Sequence, residues 1–261
     1  MVIGLIILAA DDIIQVVCFM IKIITEGHDF LKNCDLTYAF CGGYALELFL
    51  NKTLRSHSDV DIVAFEEDKV SIIKYVLSKD WNIYEHKSEW INNKKKHSYL
   101  RLVQNPNAQE VLHLSSVWAI KSDCSLIKVE SKPGENNKFT YEILNKEQLK
   151  FDFFEIIFNR QKDGNFVVES LTSQNEKISR PLDKAILYHG AIPYLAPEII
   201  LFFIAHPAYL ESDYHREKNN IDWKYTPSFL PEESLKWLID SLRMAYPEGN
   251  KRLSELIVLD E

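Results

Sequence analysis

The chain has 261 residues, 46% of them apolar and 26% charged, an ordinary globular composition that excludes disordered, collagenous and solenoid classes. Thirty-eight acidic side chains against 30 basic ones give a formal charge of -8, so no global field draws the chain to nucleic acid or anionic lipid. Four cysteines (Cys18, Cys34, Cys41 and Cys124) show no CxxC spacing and read as buried or incidental thiols of a cytoplasmic protein.

The apolar run from Val2 to Ala10 resembles a signal-peptide core, but no Lys or Arg precedes it, and Asp11 and Asp12 stand where a cleavage site should be. It is far short of the ~20 apolar residues that span a bilayer. With the dense apolar stretch from Ile13 to Ile24 it predicts a structural N-terminal helix over 1–24, or an upstream extension if Met20 is the natural start. Tyr38 to Phe40 is a short apolar run leading into Gly42-Gly43. Tyr44 to Leu50 and Lys69 to Leu77 read as helices, with a strand from Val60 to Phe65 between them. Lys87 to His97, with its Lys94-Lys95-Lys96 run, and Ser131 to Lys138 read as polar loops, the lysines as a solvated turn or, as the alternative, a contact with an anionic substrate. Val111 to Ala119, Ser125 to Val129 and Phe166 to Glu169 are strand-like, and Lys162-Asp163-Gly164-Asn165 is a hairpin turn. Seven of the nine prolines lie from Pro181 onward, and Pro197 and Pro231 each precede acidic residues, as at helix starts. Helices are therefore expected over Glu198 to Ala205, Glu232 to Met244 and Lys251 to Val258. The coarse division is an α/β part over 1–180 and a small helical part over 181–261.

The chemistry concentrates between Phe40 and Ile62. Asp59 and Asp61 are two apart in a stretch that continues Ile62-Val63-Ala64-Phe65, so on a strand both carboxylates face one side. Two adjacent anions repel, and a divalent cation removes the conflict; Mg²⁺ in particular is held by one or two carboxylates with substrate phosphates and water. Gly42-Gly43 opens a helix, where backbone N–H groups without a Cβ in the way can cradle phosphate. Asp59 follows 16 residues after Gly43, with Arg55 and His57 between. That order points to metal-assisted transfer from a nucleoside triphosphate.

Gly-Gly opening a helix, followed by Asp-x-Asp on a strand, resembles the nucleotidyltransferase superfamily. The details at Gly42 to Leu46 and Arg55 to Asp61 are most similar to its aminoglycoside and lincosamide branch. Arg180-Pro181-Leu182, Ile192 to Glu198, the Lys218, Asp222, Trp223 set and Trp237-Leu238 extend the resemblance to about Tyr246, least over Lys87 to Glu147. It implies an α/β (α+β) fold, a mixed sheet with flanking helices and a helical C-terminal domain. It further implies Mg²⁺, ATP or another NTP as co-substrate, and transfer of a nucleoside monophosphate to a hydroxyl of a small-molecule acceptor, with no membrane and no extended nucleic-acid surface. Asp59 and Asp61 would hold metal. A third carboxylate is implied nearby, and Glu155, mid-strand before the Asp163-Gly164 turn, is favoured over Asp152. Gly42, Gly43 and Arg55, with Lys184 and Lys218, would serve the triphosphate; His57 is either a phosphate contact or a residue that hydrogen-bonds the carboxylates. One departure stands out: Ile204 and His206 occupy positions where the branch carries basic residues. A toxin of abortive-infection type and an inactive nucleotide-binding module are the rival readings.

Overall fold

The computed structural model describes residues 22–91, 94–168, 178–207 and 213–260. The expected N-terminal helix over 1–24 lies almost wholly outside them. In chain order the elements are α1 (residues 22–31), β1 (Tyr38–Cys41), α2 (Gly42–Leu50), β2 (Asp61–Phe65), α3 (Lys69–Leu77), β3 (Trp81–Ile91), β4 (Lys94–Leu102), α4 (Ala108–Val111) and β5 (Ser116–Lys121). They continue with β6 (Ile127–Ser131), β7 (Phe139–Ile143), β8 (Phe153–Asn159), β9 (Gln161–Lys162), β10 (Asn165–Val167), β11 (Ser179–Pro181), α5 (Leu182–Ala185), β12 (Ile186–His189) and β13 (Ile192–Leu195). The last helices are α6 (Pro197–Ile204), α7 (Asp213–Tyr225), α8 (Glu232–Ala245) and α9 (Lys251–Asp260). Among the described residues no helix is long and apolar enough to cross a membrane.

Contacts divide the chain into two compact units. One takes the chain up to Tyr38 together with Ser56–Asn159; the other takes Ala39–Arg55 and Arg160–Glu261. The division therefore does not fall at the expected 180. Its reason is non-local pairing: β1 runs parallel to β13, with Phe40 opposite Tyr194, and α2 packs on α6.

In the first unit the strands follow the order β2-β8-β5-β3-β4-β7-β6. The β2/β8 pair is parallel and the remaining pairs are antiparallel, making a mixed sheet. One face is closed by helices. Phe30 on α1 lies 5.9 Å from Phe154 and 5.1 Å from Trp81, with Tyr75 of α3 at 5.7 Å. Ile83, Ala119, Phe154 and Ile156, which share that face, are fully buried. The α3 sequence explains its place: Ile72, Ile73 and Val76 form one apolar stripe, all fully buried, after an acidic turn at Glu66, Glu67 and Asp68. Charge on this face is matched locally. Buried Lys69 donates to the carbonyls of Leu114 (2.7 Å) and Leu112 (3.4 Å).

Two expectations are corrected. Lys87 to His97 is not a loop; apart from 92–93, which lie outside the described residues, it belongs to the long hairpin of β3 and β4, paired from Tyr84↔Leu102 outward. In sequence His86 to Glu89 and Lys94 to Ser98 are unbroken polar runs, so no apolar alternation marks that part of the strands. The strand expected from Val111 begins only at Ser116, because Ala108–Val111 forms a helical turn in which Asn107 Oδ1 accepts the N–H of Glu110 at 2.9 Å.

In the second unit β12-β13-β1 form one sheet edge, and β9-β10-β11 a small antiparallel sheet. The hairpin turn is as expected, with Asp163 and Gly164 at φ 50° and 75°, the paired positive values of a two-residue primed turn. Helix α8 starts after Pro231 with Glu232 and Glu233 in its first turn and buries Leu238, Ile239, Leu242 and Ala245. Behind β11, buried Arg180 bonds Glu198 at 2.7 Å and Ser234 at 3.3 Å, and its guanidinium lies over the Trp237 ring. This network ties β11, α6 and α8 together.

Candidate active site

The carboxylates sit in the first unit. Asp61 opens β2, and in the parallel β2/β8 ladder its partner is Glu155. Register partners on adjacent strands share a face about 4.8 Å apart. The pairing begins one residue earlier, where the Glu155 N–H donates to the Val60 carbonyl at 2.9 Å. Asp59 stands just ahead of that ladder and accepts from Ser58 Oγ at 3.3 Å. His57 is buried beside it in sequence, and its carbonyl receives the Gln148 N–H at 3.0 Å.

Asp152 does something else. It precedes β8, is 4% exposed, and its Oδ2 accepts from the Ser125 N–H (2.9 Å) and hydroxyl (3.1 Å). Its own carbonyl receives Lys121 N–H at 3.0 Å. It is a clamp on the turn before β6, whereas Glu155 is the acid aligned with Asp61.

The second unit holds the expected phosphate-side residues. Gly42 begins α2 at φ 63°, a left-handed conformation that a side chain would strain. Arg55 is gripped by Asp222 of α7 in a bidentate pair, Nε to Oδ1 and Nη2 to Oδ2, both 3.0 Å. Asp222 is 4% exposed and Arg55 17%, so the fork is held in a mostly dry setting where such pairing is rigid. Lys184 on α5 pairs with Glu233, and that ammonium holds the Glu233 carboxyl below the usual carboxylate range. Lys218 lies half-buried on α7. At the C-terminal end of α6 Ile204 is half-buried, and His206 meets the Tyr246 ring edge-on at 6.3 Å.

One site residue went unread in the sequence. Glu47 of α2 is fully buried, and its Oε1 accepts the N–H groups of Leu54 (2.6 Å) and Arg55 (3.1 Å). It therefore fixes the backbone that carries Arg55. The signal was available: Glu47 is the one charged residue in the apolar run Tyr44 to Leu50, and a buried acid needs donors.

Among the described residues no group of three or more His, Cys, Asp or Glu side chains is assembled to hold a metal. The register of Asp61 and Glu155 nevertheless fits one. Two carboxylates on one sheet face are the hard oxygen donors Mg²⁺ takes when substrate phosphates and water complete its shell.

No protein-family model matches the chain, and no curated protein does. Solved structures do. The crystal structure of lincosamide antibiotic adenylyltransferase LnuA, lincomycin-bound, is similar over 77% of this chain and 94% of its own, at 14% identity and a TM-score of 0.41. The solution structure of antibiotic-resistance factor ANT(2'')-Ia covers 90% and 95% at 13% identity and a TM-score of 0.42. The crystal structure of ANT(2'')-Ia in complex with adenylyl-2''-tobramycin covers 89% and 99% at 13% and 0.39.

Proposed function

We propose that the protein is a metal-dependent nucleotidyltransferase that moves a nucleoside monophosphate, AMP from ATP, onto a hydroxyl of a small acceptor such as an aminoglycoside- or lincosamide-like antibiotic. The observation that carries this reading is the register of Asp61 with Glu155 on adjacent parallel strands, two residues after Asp59. Asp59 and Asp61, with Glu155, would hold Mg²⁺, which when bound neutralises phosphate charge and lowers the barrier to displacement. Glu155 takes the proton from the acceptor hydroxyl. The acceptor oxygen then bonds to the α-phosphorus, the bond from that phosphorus to the bridging oxygen breaks, and pyrophosphate departs with both electrons. In such transfers the protein mainly positions groups and balances charge. Gly42 and Gly43, with the first N–H groups of α2, suit the triphosphate. Arg55, held by Glu47 and Asp222, presents its guanidinium in one fixed orientation. Lys184 and Lys218 are further candidate cations for the triphosphate, and His57, two residues before Asp59 in the chain, a candidate contact to phosphate or carboxylate.

A module that binds nucleotide without turnover is the second reading, favoured by Ile204, which leaves the end of α6 without a cation at that position. Labelled-ATP transfer to a panel of aminoglycosides and lincosamides tests both. The wild type should label an acceptor and release pyrophosphate, and Asp61→Asn should abolish the reaction with the melting temperature level or higher, since it removes one of two neighbouring anions. ATP binding without pyrophosphate release across the panel overturns the transferase reading.

A further inference from the structure

Between the carboxylates and the β6/β7 edge, the same sheet face carries a set of aromatic rings with no part in the chemistry above. Strand registers place them. Trp118 of β5 is the partner of Glu155 on one side and of Tyr84 on the other. His86 lies two residues after Tyr84 and therefore shares its face. The His86 imidazole is stacked on the Trp118 indole, centroids 4.7 Å apart and planes at 11°. Tyr141 of β7 stands edge-on to both, at 5.4 Å from Trp118 and 5.7 Å from His86, and its hydroxyl bonds His86 Nε2 at 3.0 Å. Beside them on the same face Phe153, Tyr84, Leu100 and Ile120 are buried and, with Leu126 and Ile127, form an apolar cluster against which Trp118 and Tyr141 pack.

The burial of this face is unusual for its position. β8, β5 and β3 are interior strands, and their other face is sealed: Ile83, Ala119, Phe154 and Ile156 are fully buried. On the carboxylate face Tyr84, Leu100, Ile120 and Phe153 are buried, but Asp61, Glu155, Trp118, His86 and Tyr141 are only half-buried, and Ile157 is 38% exposed. Large aromatic rings left half-open in mid-sheet, fixed by stacking and by a polar bond, are a surface built to be covered.

Resting on the proposed transferase activity, we infer that Trp118, His86 and Tyr141 form the floor on which the acceptor lies, and that they set its class: a cationic, polyhydroxylated amino sugar. Ring C–H faces of a sugar stack on indole and imidazole, and an ammonium group over these rings gains cation–π attraction. The adjoining carboxylates of Asp61 and Glu155 supply the complementary charge, on a chain whose net charge is already -8. Alignment follows from the register. An acceptor seated on Trp118 has Glu155 as its next neighbour across the sheet, where its hydroxyl must lose a proton. The His86–Tyr141 bond makes Tyr141 a positioning residue, since it orients the imidazole that faces the indole.

The test is binding of tobramycin, without nucleotide, to the full chain by calorimetry. The wild type should bind it, Trp118→Leu should weaken binding about tenfold or more, and Tyr141→Phe about two- to fivefold, with ATP affinity unchanged in both. If Trp118→Leu melts early, Trp118→Phe, which keeps a ring and fits the same bed, should lose less than His86→Gln. Folded Trp118→Leu with wild-type tobramycin affinity overturns the proposal, and so does a wild type that fails to bind tobramycin. A wild type that binds tobramycin through Trp118 yet transfers nothing would support this floor while defeating the transferase reading, so the two fail separately.

Discussion

The two faces of the first unit's sheet are made by the same strands and differ in almost everything else. On the helix-covered face the alternate residues are Ile83, Ala119, Phe154 and Ile156, none accessible to solvent, and the charges beside them are matched: Lys69 by backbone carbonyls, Glu85 by Lys87 and Arg101. On the other face the alternate residues are Asp61, Glu155, Trp118, Tyr84 and His86, with two acids set side by side. One face spends its side chains on stability. The other sets two carboxylates at facing register positions, a placement whose repulsion the proposed metal and phosphate groups would offset.

The sharpest break of this comparison pairs one substitution from each face. Phe154→Ala, one position from Glu155, should destabilise by about 3–5 kcal/mol, the range for emptying a buried aromatic site. Urea unfolding measures it. Glu155→Gln should leave the unfolding midpoint level or raise it, while cutting transfer on the order of a hundredfold or more. Asp152→Asn should do the opposite of Glu155→Gln: it strips a buried turn clamp of charge and costs stability, with transfer per folded molecule little altered. Equal stability losses at Phe154 and Glu155 would erase the distinction between the faces.

How far the sequence alone reached follows the same line. The Asp59, Asp61 and Gly42-Gly43 pattern was legible because short-range spacing dictates it, and α3, α6 and α8 were legible from apolar stripes and proline starts. Glu155 could be favoured over Asp152 from its place in an apolar strand, but its alignment with Asp61 is a property of pairing across about ninety intervening residues, which no local pattern encodes. The β3/β4 hairpin was missed because the polar runs His86 to Glu89 and Lys94 to Ser98 show no apolar alternation. Glu47 was missed because its partners are backbone N–H groups, which are the same whatever the sequence. The grouping of residues 39–55 with the C-terminal part rests on the parallel β1/β13 pair, again a long-range pairing.

A smaller effect is expected where rigidity, not charge, is at stake. Glu47→Leu removes the acceptor for two N–H groups and should cost about 1–3 kcal/mol, the price of buried unpaired donors, and should raise the KM for ATP through Arg55. Glu47→Gln keeps an acceptor oxygen and should retain most of both. Asp222→Asn breaks the charge-assisted fork and should raise the KM for ATP while leaving that for the acceptor unchanged. An acceptor KM that moves as much as the ATP value in Asp222→Asn would show that Arg55 does not serve the nucleotide.

The smallest effect tests the sealed face through the ion-pair cluster at Glu85. Burial alone would push the Glu85 carboxyl up, but hydrogen bonds from Lys87 (2.5 Å) and Arg101 (2.7 Å), with their charges, outweigh it and hold the group below the usual carboxylate range. His113, at 3.4 Å, adds a third partner once protonated. A carboxyl whose pKa falls on folding contributes stability above its unfolded pKa, and that contribution is lost as pH drops through the folded value. The melting temperature of the wild type should therefore fall as pH descends from about 4.5, and Glu85→Gln should flatten that limb while lowering the plateau at neutral pH. Arg101→Gln should flatten it less, since Lys87 remains. Transfer activity at pH 7, measured well below the melting temperature, should stay near wild type in both, because Glu85 and Arg101 lie on the face away from Asp61 and Glu155. An acid limb equally steep in Glu85→Gln would mean that the carboxylates setting it lie elsewhere, and the sealed face would then hold no charge that matters to stability.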